Sequence, residues 1–394
     1  MKLLLLITGF LLLFAVEILR VYFIMPFPGS QHNNTIDIAY WISRNIIWLR
    51  ILALLLLVYL LTSLLKHSKK LKKVVVILLL AFYTVVFYFF NFRFEADKMF
   101  YQPQHKNFFS ANSNRIAADK LIIGVEINGE AKAYPIQLIG YHHQVRDTIG
   151  NTPVIITYCT VCRTGRAFSP IVNGSNETFR LVGMDHFNAM FEDAATKSWW
   201  QQETGTAIAG PLKGTSLQEI PSKQLTLDAW LRKYPNSSVL QPDTVYTEEY
   251  KDLADFDKGA IKSDLEKRDS ASWQFKSWVV GIVYDKYAKA YDWNELVSKK
   301  MMQDSLPGLP VVLVLEKDTA SFHVWNRNVN GDCLQFIKDD QTDLLKDVNT
   351  QSTWNMDGLC LEGALKGQQL KFIQSYQEFW HSWKTFHPNT MRYQ

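Results

Sequence analysis

From Leu3 to Phe92 the chain is a nearly unbroken succession of Leu, Ile, Val, Phe and Tyr, and from Glu95 onward apolar and charged residues mix as in a folded aqueous domain. A helix needs about 20 mainly apolar residues to cross roughly 30 Å of hydrocarbon. Three segments reach that length, 3–25, 46–65 and 74–92, and they predict a membrane region over residues 1–95 with the lipid bilayer as its partner. The first is longer than the apolar part of a signal peptide, carries Glu17 and Arg20, and has no small-x-small site before Pro26, so it is expected to be retained. Glu17 and Arg20 lie three apart, on one helix face, and are expected to pair with each other. Lys66, Lys69, Lys70, Lys72 and Lys73 crowd the second loop, whereas the first offers only Arg44. Because cationic loops stay cytoplasmic, the expected protein sits in the inner membrane with its amino terminus inside and everything after Phe92 outside.

Beyond the membrane region the pattern repeats itself. Residues 122–158 align without a gap on 279–315: Gly124, Ala131, Lys132, Ala133, Tyr134, Asp147, Pro153 and Val154 recur as Gly281, Ala288, Lys289, Ala290, Tyr291, Asp304, Pro310 and Val311. A second block, 205–237, aligns on 358–390, where Gly210, Leu212, Trp230 and Pro235 return as Gly363, Leu365, Trp383 and Pro388. Two blocks in one order indicate a tandem duplication. Within a copy, Asn128-Gly129 between apolar runs predicts a tight hairpin, Pro135 opens a short helix, Pro153 to Tyr158 reads as a buried strand, and Thr226 to Tyr234 as an amphipathic helix stopped by Pro235. The predicted fold is α+β and strand-rich, with two tandem related lobes at 116–240 and 272–394 behind three transmembrane helices. Residues 96–115 form a juxtamembrane segment, and the charge-dense stretch 241–271 a linker or peripheral excursion.

A net charge of +4, much of it in one loop, implies no nucleic-acid partner. The duplication instead acts as an internal control, since features confined to one copy are candidates for chemistry. Cys159 and Cys162 end the buried strand of the first copy, where the second has Glu316 and Thr319, and His142 and His143 become Lys299 and Lys300. Two residues between cysteines let a turn bring the sulfurs close enough to bond each other or share a metal. With one or both histidines the set would suit Zn or Cu; alternatively the imidazoles cap a helix or line the core. Neither a thioredoxin-type βαβ context nor the His that follows a c-type haem motif is present. His186 is a further candidate, Trp199 and Trp200 read as core or cleft walls, and Cys333 and Cys360 are expected to form a disulfide if the compartment is oxidising.

The run Ala133-Tyr134-Pro135, His142 followed by Asp147, Thr157-Tyr158-Cys159-Thr160-Val161-Cys162, and then Asp193, Ser198, Trp200, Gln202, Gly205 and Gly210-Pro211-Leu212 resembles the bacterial domain-of-unknown-function family numbered 3179. The resemblance implies an exported or membrane-anchored bacterial protein. It also implies redox chemistry, because some relatives carry selenocysteine at a cysteine position. Members usually have Glu after the His and Pro-Leu between the cysteines, where this chain has His143 and Thr160-Val161. The sequence leaves open whether the chain is an enzyme. It predicts either a thiol redox or soft-metal site at Cys159 and Cys162 with His142 and His143, or a non-catalytic extracytoplasmic binding or scaffold module in which the Cys-x-x-Cys is a structural disulfide.

Overall fold

The computed structural model describes residues 2–67 and 69–394, and its contacts divide into two compact units. The first comprises residues 1–101 with 177–216, the second 102–176 with 217–394.

In the first unit three helices, α1 (Lys2–Tyr22), α2 (Ile36–His67) and α3 (Lys70–Phe92), are each long and apolar enough to cross a membrane. Helix α2 starts well before the expected residue 46, because its first turns are held by packing as well as by lipid solubility: Tyr40 stands edge-on to Trp199, with ring centres 5.1 Å apart. The expected Glu17–Arg20 pair does not form. Glu17 accepts both Arg50 Nε (2.7 Å) and Nη2 (2.6 Å), and Arg20 turns to Glu95, the Phe90 carbonyl and Asn91. Polar groups in an apolar bundle must find partners inside it, and here those lie on the neighbouring helices. The Arg20 contacts place the α1–α2 connection and the exit from α3 at one end of the bundle. A four-stranded antiparallel sheet (Phe179–Asp185, Asn188–Asp193, Trp199–Gln201, Ala207–Ala209) belongs to the same unit, joined to it by the Met184 N–H donating to the Ile24 carbonyl at 2.7 Å.

The second unit holds two series of elements in the same order. Strands Leu121–Ile127 and Glu130–Pro135 form the expected hairpin, with Asn128 and Gly129 at positive φ, and lead into helix α4 (Ile136–His142). Gln144–Ile149, Thr152–Cys159 and Thr164–Phe168 then make a three-stranded sheet. Helix α5 (Leu227–Lys233) follows strand Lys223–Thr226, and α6 (Thr247–Asp252) lies in the connector. The series recurs as Trp278–Tyr284, Tyr287–Asp292, helix α7 (Trp293–Lys299), the sheet Met301–Leu306, Leu309–Leu315 and Phe322–Asn326, and finally Ser375–Phe379 with helix α8 (Trp380–Phe386).

The recurring residues have recurring work. Tyr134 donates to Asp147 at 2.6 Å and Tyr291 to Asp304 at 2.9 Å, while Lys132 and Lys289 pair with the same two aspartates. Gly124 lies against the Trp230 ring and Gly281 against that of Trp383, so closely that a Cβ at either position would collide with the indole. That contact explains why glycine and tryptophan return together. The polar connector after Leu240 is anchored by Tyr246, Tyr250, Leu253 and Phe256, all buried and spaced among acidic residues that mask them in the hydropathy pattern.

Candidate functional site

Cys159 ends its strand opposite Thr164, and the four residues Thr160 to Arg163 close the hairpin. Arg163 takes φ 58° and its N–H donates to the Thr160 carbonyl at 3.3 Å, a loop built around one hydrogen-bonded turn. This winding brings the Cys162 thiol into a hydrogen bond with Cys159. Both side chains are 0% exposed. Burial pushes the Cys162 thiol well above its usual range, the bond and the charge of Cys159 push it further, and Ser382 and Lys276 oppose them.

Later parts of the chain cover this turn. Lys276 Nζ donates to the Val161 carbonyl at 2.6 Å and lies 3.1 Å from His381 Nε2, which is itself 3.2 Å from the same carbonyl. The Phe379 N–H donates to the Cys162 carbonyl at 3.0 Å, and Thr160 Oγ1 to Glu266. Arg163 Nε reaches Gln377 at 2.9 Å and Nη1 the Phe256 carbonyl at 3.2 Å. Burial pulls Lys276 down to about 8, against the attraction of Cys162 and Cys159. Burial, with Lys276 alongside, pulls His381 down to about 3. At neutral pH the imidazole is therefore neutral, and the ammonium is the charge that faces the sulfurs. A cation near a thiol favours the thiolate, so the pocket combines a desolvated dithiol with the counter-charge its ionisation requires.

His142 Nε2 makes a 2.6 Å hydrogen bond with the Tyr250 hydroxyl, its ring wedged among Tyr141, Tyr246 and Tyr250. His143 caps α4 in the left-handed conformation, Nδ1 3.1 Å from the Tyr141 carbonyl, and burial pulls its imidazole down to about 4. Lys300 caps α7 with the same backbone shape, so the turn there does not depend on the imidazole. Among the described residues no group of three or more His, Cys, Asp or Glu side chains is arranged to hold a metal ion. The expected Cys333–Cys360 bridge is absent: Cys333 is exposed on a short strand, and Cys360 is buried with its thiol 3.3 Å from the Glu362 carbonyl.

His186 bonds Asp185 at 2.7 Å, which raises its pKa, and it lies in the first unit. Trp200 donates to Asp193 at 2.9 Å, as Trp354 does to Asp347 at 3.0 Å, and Ser198 and Ser352 accept from Leu212 and Leu365. Asp193, Ser198, Trp200 and Leu212 thus build a turn that occurs twice. Trp199 is wholly buried, with its N–H on Glu192.

Sequence reasoning missed Lys276, His381, Ser382 and Glu266. The internal control could have found two of them when read in the other direction, because the second aligned block sets His381 against Asp228 and Ser382 against Ala229. Lys276 and Glu266 fall outside both aligned blocks.

The chain belongs to the family described as Protein of unknown function (DUF3179), which matches residues 101–390, taking in both series of elements and leaving out the three helices. No curated protein and no solved structure matches it.

Proposed function

We propose that this is a membrane-anchored thiol–disulfide oxidoreductase, its two series of elements duplicated copies of which only the first keeps the Cys159–Cys162 couple. The observation that carries the reading is a pair of buried free thiols in one turn whose Val161 carbonyl accepts from the Lys276 ammonium at 2.6 Å. Cys162, whose thiol burial holds protonated, is the resolving residue, and Cys159 is the attacking sulfur. In the forward direction Cys159 attacks one sulfur of a partner disulfide and releases a thiolate. Cys162 then attacks the mixed disulfide and releases the second. The dithiol gives up two electrons and two protons, forming one S–S bond, and the partner becomes two thiols. The lysines gathered where α2 gives way to α3 (Lys66, Lys69, Lys70, Lys72 and Lys73) support an extracytoplasmic domain, where such couples persist. Since the sulfurs are covered, exchange requires the Thr160–Glu266 clasp to open.

Complete burial of both sulfurs favours a second reading, in which the pair braces the turn. A redox titration of the full-length protein against glutathione separates the two. A midpoint near or above about −200 mV supports exchange, and one below about −300 mV supports the brace. Replacing Lys276 with Met removes the cation beside the dithiol. In the exchange reading this lowers the midpoint, because the reduced form loses its stabilising charge.

A further inference from the structure

Beside the Cys-x-x-Cys turn the second unit contains a cavity of about 600 Å³ that the thiol chemistry does not use. Arg163, the residue after Cys162, lines it together with Arg268, Trp278, Asp257 and Gln377. Both guanidiniums stack over the Trp278 ring, Arg163 at 3.8 Å and Arg268 at 4.1 Å from its centre. Arg163 is 1% exposed, and its bonds go to an amide oxygen and to backbone carbonyls; the Arg268 guanidinium donates to Asn294. Among the described residues neither is ion-paired with a carboxylate. Buried charge is costly unless paired, and these two like charges share one indole, with the Asp257 and Asp292 carboxylates acting on them from beyond ion-pair distance.

The unsatisfied hydrogen-bonding groups sort by sign. The Trp278 N–H and Arg268 Nε, both buried, have no partner, and Trp278 is 6% exposed. These are donors beside two cations, and they suit an anion. Asp257 Oδ1 is also buried without a partner, its other oxygen taken by the Leu121 N–H at 3.0 Å, and it offers an acceptor for an amine. Asp119, Asp228 and Asp318 share the lining with Lys120 and Lys258, so the walls carry both signs, which a zwitterion matches at both ends and a dianion such as phosphate at one. We infer that the cavity binds a free amino acid or short peptide, its carboxylate on Arg163, Arg268 and the Trp278 N–H and its amine on Asp257. The site needs no redox step and stands whether or not Cys159 and Cys162 exchange disulfides.

The test is calorimetric titration of the detergent-solubilised full chain with Ala-Ala, its C-terminal amide, its N-acetyl form, the free amino acids glycine, cysteine and glutamate, and inorganic phosphate. The expected result is binding of at least one free zwitterion tighter than about 10 mM, weakened about tenfold or more when either charged end is blocked, with no displacement by phosphate. Arg268→Gln should weaken the same probe about tenfold, Arg268→Lys less, and Asp257→Asn should remove the preference for a free amine, each variant melting as the parent does. The inference is overturned if no zwitterion binds, if blocked and free forms bind alike, if phosphate competes, or if a correctly folded Arg268→Gln protein binds unchanged.

Discussion

The hairpins ending at Cys159–Thr164 and Glu316–Ser321 share one frame and differ at the tip. In both, the strand residue before the tip donates to the carbonyl of a left-handed helix cap, Tyr158 to His143 and Leu315 to Lys300, each at 2.9 Å. Beyond that point the windings part. The first tip places its left-handed residue at Arg163 and is buried throughout; the second places it at Thr319, one alignment position earlier, and Lys317, Asp318 and Thr319 are exposed. The frame is therefore common property, set by the Tyr–Asp–Lys cluster and the glycine–tryptophan contact, and the cover over the first tip is what distinguishes it. The segment from Phe256 to Lys276 and strand Ser375–Phe379 with α8 supply that cover.

The largest expected break in the comparison is in acid. His143 is buried and its pKa is lowered, so the unfolded chain takes up the proton first as pH falls; the stability tied to this imidazole is full above about 6.5 and is lost toward 4. His143→Asn keeps a residue tolerant of the left-handed shape and should recover about 3 kcal/mol of that loss in urea melts at pH 7, 5.5 and 4, whereas Lys300→Asn should leave the pH slope unchanged. Next, Gly124→Ala and Gly281→Ala should each cost about 2 kcal/mol, because each Cβ drives into an indole; a loss at one position alone would separate the two frames. Tyr134→Phe and Tyr291→Phe should cost about 1.5 kcal/mol each, the hydroxyl bond to a carboxylate being lost at both. The smallest change in global stability is expected for Glu266→Gln, under about 1 kcal/mol. That substitution loosens the clasp on Thr160 and should raise the rate of iodoacetamide labelling at the two cysteines several-fold.

Much of the frame was legible in the sequence. The helices were written in apolar length, the Asn128-Gly129 hairpin in turn chemistry, and Tyr134, Asp147 and their counterparts in repetition. Less legible was where Glu177–Ser216 would pack, since its contacts with Ile24 and Tyr40 are made by backbone atoms and single rings that leave no periodic trace. The dithiol was legible from spacing, but its surroundings were not. His142 and His143 stood out because they differ between copies, yet one bonds Tyr250 and the other closes a helix. Lys276 and His381 reach the turn only through tertiary folding, from segments more than a hundred residues away.

Mixed-disulfide trapping in membranes tests the thiol couple most directly. Cys162→Ser should accumulate a partner or low-molecular-weight thiol linked through Cys159, seen by mass spectrometry and released by reductant, while Cys159→Ser accumulates none at Cys162. Equal trapping at both positions, or none at either with the protein intact, would contradict the assignment of Cys159 as the attacking sulfur and leave the pair as a brace.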